Sequence, residues 1–114
     1  MHQQPHQTKR FTSPLSKEEA RKQAYLLKAL ADPYRLQIID LLHCHRGMMS
    51  VLEIVETLGS IAQPTVSHHL RILRDAGIID YRKEGLYAYY YVQHAALTEA
   101  YRAIYRERAQ EKSA

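Results

Sequence analysis

From Ser16 onward, apolar residues recur along the chain at helical spacing, in blocks punctuated by single Gly, Pro and Asp residues. Leu26, Leu27 and Leu30, with Ala24 and Ala31, form the first stripe. Ser16 and Glu19 stand three apart ahead of it, the spacing of a capping box. Asp32-Pro33 restarts the chain, with Asp32 as N-cap and Pro33 at the first helical position. Leu36, Ile38, Ile39, Leu41 and Leu42 give the second apolar surface, and Gly47 ends that helix. Ser50 and Glu53 repeat the capping box before "VLEIVETL", which Gly59 closes. The link "SIAQ" leads to Pro64 and a fourth helix that stops at Gly77. The period then changes from helical to alternating. "IIDYRK" and "LYAYYYV" read as two strands joined at Glu84-Gly85. A last helix is expected from His94 to Gln110, with Leu97, Ala100, Tyr101, Ile104 and Tyr105 on its apolar face.

Four helices, a hairpin and a helix make a mainly α fold with a β-hairpin wing (α+β). Two short helices around a Gly-containing turn, followed by a hairpin, form the winged helix-turn-helix pattern. Residues 15–110 are expected to be this single domain. Residues 1–14, "MHQQPHQTKRFTSP", are polar with little to bury and read as a flexible N-terminal arm, and residues 111–114 as a tail. A chain of 114 residues supports one modest core, and chains this short often gain stability by dimerising.

The fourth helix carries the most informative stretch, "SHHLRILRDAG". At about 100° per residue, Val66, Leu70 and Leu73 point within about 40° of one direction, toward a core. Ser67, Arg71 and Arg74 fall on the far side with His68, and His69 lies on the flank. Adjacent histidines diverge by about 100°, whereas a helical metal pair needs ligands three or four residues apart. The "HH" pair is therefore not a chelate. His69 is expected to be half-buried and bonded to a nearby backbone group. His68 shares its face with donors suited to base edges and phosphates, and that face reads either as a nucleic-acid surface or as a solvated helix side.

A net charge of +4 leans modestly toward an anionic partner. The single Cys44 excludes an internal disulfide and a multi-cysteine zinc site, and fits a reducing compartment. No apolar run approaches the roughly 18 residues of a membrane span, and the N-terminus lacks the apolar segment of a signal peptide. A soluble, cytoplasmic protein with no membrane partner is expected. No nucleophile, base and orienter stand at a telling spacing and no Gly-rich phosphate loop is present, so the chain does not read as an enzyme, and no cofactor is expected.

"LLKALADPYRLQIIDLL", followed by "QPTVSHHLRILRDAGIIDYRKEGLYAYYYV", resembles the ArsR/SmtB family of bacterial winged-helix repressors over roughly residues 20 to 110. The resemblance implies that Gln63, Thr65, Ser67, His68 and Arg71 face the major groove or adjacent phosphates of double-stranded DNA. It implies that Arg82 and Lys83 of the wing follow the backbone near the minor groove. It also implies a homodimer joined through the first and last helices, bound to an imperfect inverted repeat in its own promoter until an inducer arrives. One departure is the turn "GSIAQ", a residue longer than the family's usual Gly-Leu-Ser-Gln. Ala62 stands where the cap serine usually does, which leaves Ser60 as the substitute.

The family's third-helix metal site uses Cys-Val-Cys; here Ser50-Val51-Leu52 takes that place, and neither Ser50 nor Leu52 suits a soft metal. The family's second site, between the last helices of the dimer, matches His94, Ala96, Glu107 and Gln110, of which two can ligate and two cannot. No metal site is expected, and the inducer is not identified. Cys44, between His43 and His45, reads as buried and inert, and Met48 and Met49 as filling a core edge. Tyr87, Tyr89 and Tyr91 share one strand face and Tyr90 the other; they read as hairpin support, the alternative being an aromatic pocket for an organic inducer. Two other functions stay open: a metal-sensing repressor built from His2, His6 and His94, as in nickel-sensing relatives, and a winged-helix module that binds protein.

Overall fold

The computed structural model of the protein describes residues 14–44 and 47–104. Helix α1 spans Lys17–Leu30, and its capping box forms as expected. Ser16 Oγ accepts from the Glu19 N–H, and Glu19 Oε1 accepts from the Ser16 N–H, both at 3.0 Å. Helix α2 spans Pro33–Cys44; Asp32 Oδ1 caps it by accepting from the N–H groups of Tyr34 (2.9 Å) and Arg35 (3.1 Å). The second box, Ser50 with Glu53, opens α3 at Val51–Leu58. Helix α4 is Gln63–Asp75, strands β2 and β3 are Ile79–Glu84 and Tyr87–Val92, and α5 is described as His94–Ile104.

Helix α4 stops for a specific reason. Gly77 takes φ +79, and its N–H bonds to the Arg74 carbonyl at 2.9 Å while the Ile78 N–H bonds to that of Leu73 at 3.0 Å. This is a Schellman ending. It turns the chain directly into β2 and leaves Leu73 and Ile78, both at 0% exposure, in the same core. At the wing tip Gly85, with φ +65, supplies the positive angle that a two-residue hairpin loop needs.

The sheet has three strands rather than two, in the order β1-β3-β2, all antiparallel. Strand β1 is Met49–Ser50, paired as Met49↔Tyr90 and Ser50↔Tyr89. Two residues carry no alternation, so the sequence pattern could not reveal it. The strand ties the start of the helix-turn-helix to the wing, and Met49 is buried, as its place at a core edge required.

The core draws on every helix: Leu26 and Ala29, Ile38 and Leu42, Ile54, Val66 with Leu70 and Leu73, and Ala100. Several assignments differ from the sequence reading. Leu36 is 53% exposed. It lies about 200° around α2 from Ile38, and Ile38 with Leu42 takes the core face. Tyr101 is 56% exposed. Cys44 is exposed, not buried; its thiol donates toward Asp40 Oδ1 at 3.6 Å. That hydrogen bond, with the carboxylate charge, pushes the thiol pKa up and keeps it protonated. The arm to residue 13, His45, and residues 105–114, with Tyr105, Glu107 and Gln110, lie outside the described residues.

Leu70→Ala is expected to cost about 2–5 kcal/mol, the range for deleting a fully buried leucine. Leu36→Ala is expected to cost no more than about 0.5 kcal/mol. Urea unfolding at one fixed protein concentration measures both; equal losses would place Leu36 in the core after all.

Candidate nucleic-acid interface

Helix α4 is held by one face. Val66, Leu70 and Leu73 are at most 1% exposed and His69 is 7% exposed. Gln63, Thr65, His68 and Arg71 are exposed, and Ser67 is half-buried. Arg82 and Lys83 are exposed on β2, as the wing reading required. Among the described residues, none of the exposed large apolar side chains belongs to α4. The outward surface of the helix is thus polar and basic, and the inward surface is apolar apart from His69.

His69 does not bond a backbone group. Its Nδ1 lies 3.1 Å from Nη1 of Arg35, thirty-four residues away, and Arg35 Nε donates to the Ala29 carbonyl at 2.6 Å. A guanidinium has only donors, so Nδ1 must accept, and the proton of the neutral ring sits on Nε2. The Tyr34 ring stands 5.8 Å from the His69 ring. One residue thus joins the end of α1, the start of α2 and the middle of α4. Burial pushes the His69 pKa down; the nearby Asp32 carboxylate opposes this, and Arg35 and His68 reinforce it. Asp32 in turn is held below the usual carboxylate range, chiefly by the Arg35 N–H it accepts from. Spacing carries no sign of the Arg35–His69 pair, because a contact across thirty-four residues leaves no local period.

A second tie braces the wing. The Arg74 guanidinium lies over the Tyr81 ring, 4.6 Å from its centroid, and Tyr81 meets Tyr90 across the hairpin at 5.5 Å. Burial raises the Tyr90 pKa, so its phenol stays neutral. Of the tyrosines read as hairpin support, Tyr90 takes that role in these contacts. They link the last turn of α4 to the strand that carries Arg82 and Lys83.

The turn before α4 also resolves. Gly59, at φ +76, ends α3 by bonding to the Val55 carbonyl at 2.9 Å. Ala62 is the N-cap of α4, and no side chain caps it, so Ser60 does not substitute for the missing serine. Instead the N–H groups of Thr65 and Val66 both turn back to the Ala62 carbonyl at 3.1 Å. At the head of α3, the N-cap Ser50 is buried and its hydroxyl accepts from the Glu53 N–H, while Leu52 is 47% exposed. Among the described residues, no group of three or more His, Cys, Asp or Glu side chains is placed to hold a metal ion.

Comparison with known proteins agrees with this architecture. A family model described as a helix-turn-helix domain matches residues 30–82. An uncharacterised HTH-type transcriptional regulator of Methanocaldococcus jannaschii is 47% identical over 75 residues, covering 66% of this chain and 82% of that protein. The arsenical resistance operon repressor of Staphylococcus aureus is 38% identical over 74 residues, covering 65% of this chain and 68% of that one. The chain belongs to the ArsR/SmtB family. The regulator also superposes on NolR from Sinorhizobium fredii with a TM-score of 0.63 at 31% identity, covering 82% of this chain and 97% of that one. It is a transcriptional repressor of the winged-helix type, and its family works by binding DNA rather than by catalysis. Among the described residues, no helix is long and apolar enough to cross a membrane.

The His69 geometry sets a pH dependence. The unfolded ring takes a proton near pH 6.5, while the folded ring resists it to lower pH. The unfolded state therefore binds more protons in that window, and stability falls as pH drops below about 6.5. Thermal unfolding between pH 7.5 and 5 is expected to show this loss, and His69→Gln to remove part of it. His69→Ala is expected to cost about 1–3 kcal/mol, since it strands the Arg35 donor. Parallel pH profiles for the parent and His69→Gln would refute the assignment.

Proposed function

We propose that the regulator acts as a homodimer that reads an imperfect inverted repeat through the outward face of α4. The polar, anchored face of that helix carries this reading. Gln63, Thr65, Ser67, His68 and Arg71 approach base edges and the adjacent phosphates, and Arg82 and Lys83 follow the backbone from the wing. The uncapped start of α4 favours a phosphate there, because its first N–H and the positive end of the helix are left to a ligand. The protein-docking alternative needs exposed apolar or aromatic anchors on α4. The outward residues of α4 supply none.

Helices α1 and α5 pack together and leave Tyr25 and Tyr101 more than half exposed. We place the dimer seam on these two helices, as the family resemblance implies. Two-fold symmetry then sets two α4 helices about 34 Å apart, or a multiple of that, along the DNA. The regulator works in the cytoplasm beside its promoter. It does so without the family's third-helix thiolate site, since Ser50 is committed to its cap and Leu52 has no donor atom.

Fluorescence anisotropy on the regulator's own upstream DNA tests this reading. Affinity is expected to fall steeply with salt through counterion release. Arg71→Ala and His68→Ala are each expected to cost about 1–3 kcal/mol of specific binding, while Lys83→Ala weakens all sequences alike and lowers the salt slope by about one. Unchanged affinity for His68→Ala and Arg71→Ala together would remove α4 as the reading element. Sedimentation of the DNA complex is expected to give two protomers per operator; a single bound protomer would refute the dimer.

A further inference from the structure

The structure brings together two histidines that the sequence keeps fifty-one residues apart. His43 lies in the last turn of α2 and His94 is the first residue of α5. Their rings stand edge to face, with centroids 5.4 Å apart and planes at 68°. Both side chains are exposed. The pair takes no part in the core, in α4 or in the wing. Thr98 Oγ1 donates to the His94 carbonyl at 3.0 Å and steadies the turn that carries the ring.

A tetrahedral metal ion shared by the two rings would fit this separation, which also falls in the ordinary range for aromatic pairs. With a metal–nitrogen bond of about 2.0–2.1 Å and a nitrogen about 1.1 Å from its ring centroid, each centroid sits about 3.2 Å from the ion; a tetrahedral angle then puts the centroids about 5.2 Å apart. The observed 5.4 Å is close to that value. The other histidine pair, His68 with His69, is ruled out on two counts. They are helix neighbours whose rings diverge, and His69 Nδ1 is already engaged by Arg35. Asp40, one turn before His43 on α2, has its Oδ1 engaged by the Cys44 thiol and does not complete a three-ligand group with the pair.

The geometry points to His43 and His94 as a two-histidine site for a borderline divalent transition metal of the Cu²⁺, Ni²⁺ and Zn²⁺ class. No third protein ligand joins it among the described residues, so water fills the remaining positions. The order of affinity then follows the intrinsic series, with Cu²⁺ tightest. The site differs from the family's thiolate site in α3; it shares the His94 position with the family's second site but takes its other ligand, His43, from α2 of the same chain, and it needs nothing from the arm. It is also independent of the DNA reading, since neither histidine lies on α4 or the wing. The ion would join the end of α2 to the start of α5, the helix assigned above to the dimer seam.

The test is calorimetric titration of the chelator-treated, tag-free full chain with Cu²⁺, Ni²⁺ and Zn²⁺ in a non-coordinating buffer. One ion per chain is expected. His43→Ala and His94→Ala are each expected to weaken binding about tenfold or more, and His43→Asn and His94→Asn to do the same with unchanged circular dichroism. The double variant His2→Ala/His6→Ala is expected to bind as the parent does. The Cu²⁺ complex is expected to show two coordinated nitrogens by electron paramagnetic resonance. Binding that survives the His43 and His94 changes, or that disappears only with the arm histidines, would overturn the site.

Discussion

Everything proposed for the outward face of α4 depends on the commitment of its inward face. Val66, Leu70 and Leu73 are sealed in the core, and each contributes roughly 1.5–3 kcal/mol by burial. These contacts fix the rotation of the helix about its own axis. A rotation of one residue, about 100°, would bring polar groups into the core and expel a leucine. The polar residues therefore point outward because the apolar ones have no alternative.

The Arg35–His69 contact adds what apolar packing lacks, which is direction. Leucines tolerate small slides along one another; a guanidinium donating to one ring nitrogen does not. Arg35 is itself held by the Ala29 carbonyl and by the Asp32 cap at the head of α2. The junction of α1 and α2 thus registers α4, and Arg74 over Tyr81 carries that register into the wing. Strand β1 closes the arrangement by binding the residues just before α3 to the central strand. The helix-turn-helix and the wing are in this way tied as one unit.

Much of this was legible in the chain. Both capping boxes, the Asp32-Pro33 restart, the Gly59 and Gly77 stops and the wing hairpin follow from local chemistry, and each stands where its residues place it. The outward positions of His68, Arg71 and Arg74 follow from simple angular counting, which also puts the half-buried Ser67 outward. What was not legible has physical causes. A two-residue strand has no period. Leu36 and Tyr101 look like core residues in a one-dimensional pattern, but a helix of about three turns has room inward for only one stripe. Arg35 with His69, and His43 with His94, are contacts between distant elements, which spacing alone does not encode. Cys44 reads as buried by its type, whereas its position at the end of α2 puts it at the surface.

The central claim is a division of labour on α4: outward residues meet DNA, and inward residues only hold the helix. Amide and side-chain NMR shifts on addition of the upstream DNA test it most directly. The account predicts the largest shifts at Gln63, Thr65, Ser67, His68 and Arg71, with a second group at Arg82 and Lys83 and small shifts at Leu70 and Leu73. Shifts concentrated on α1, α2 or α3, with the outward face of α4 silent, would contradict it.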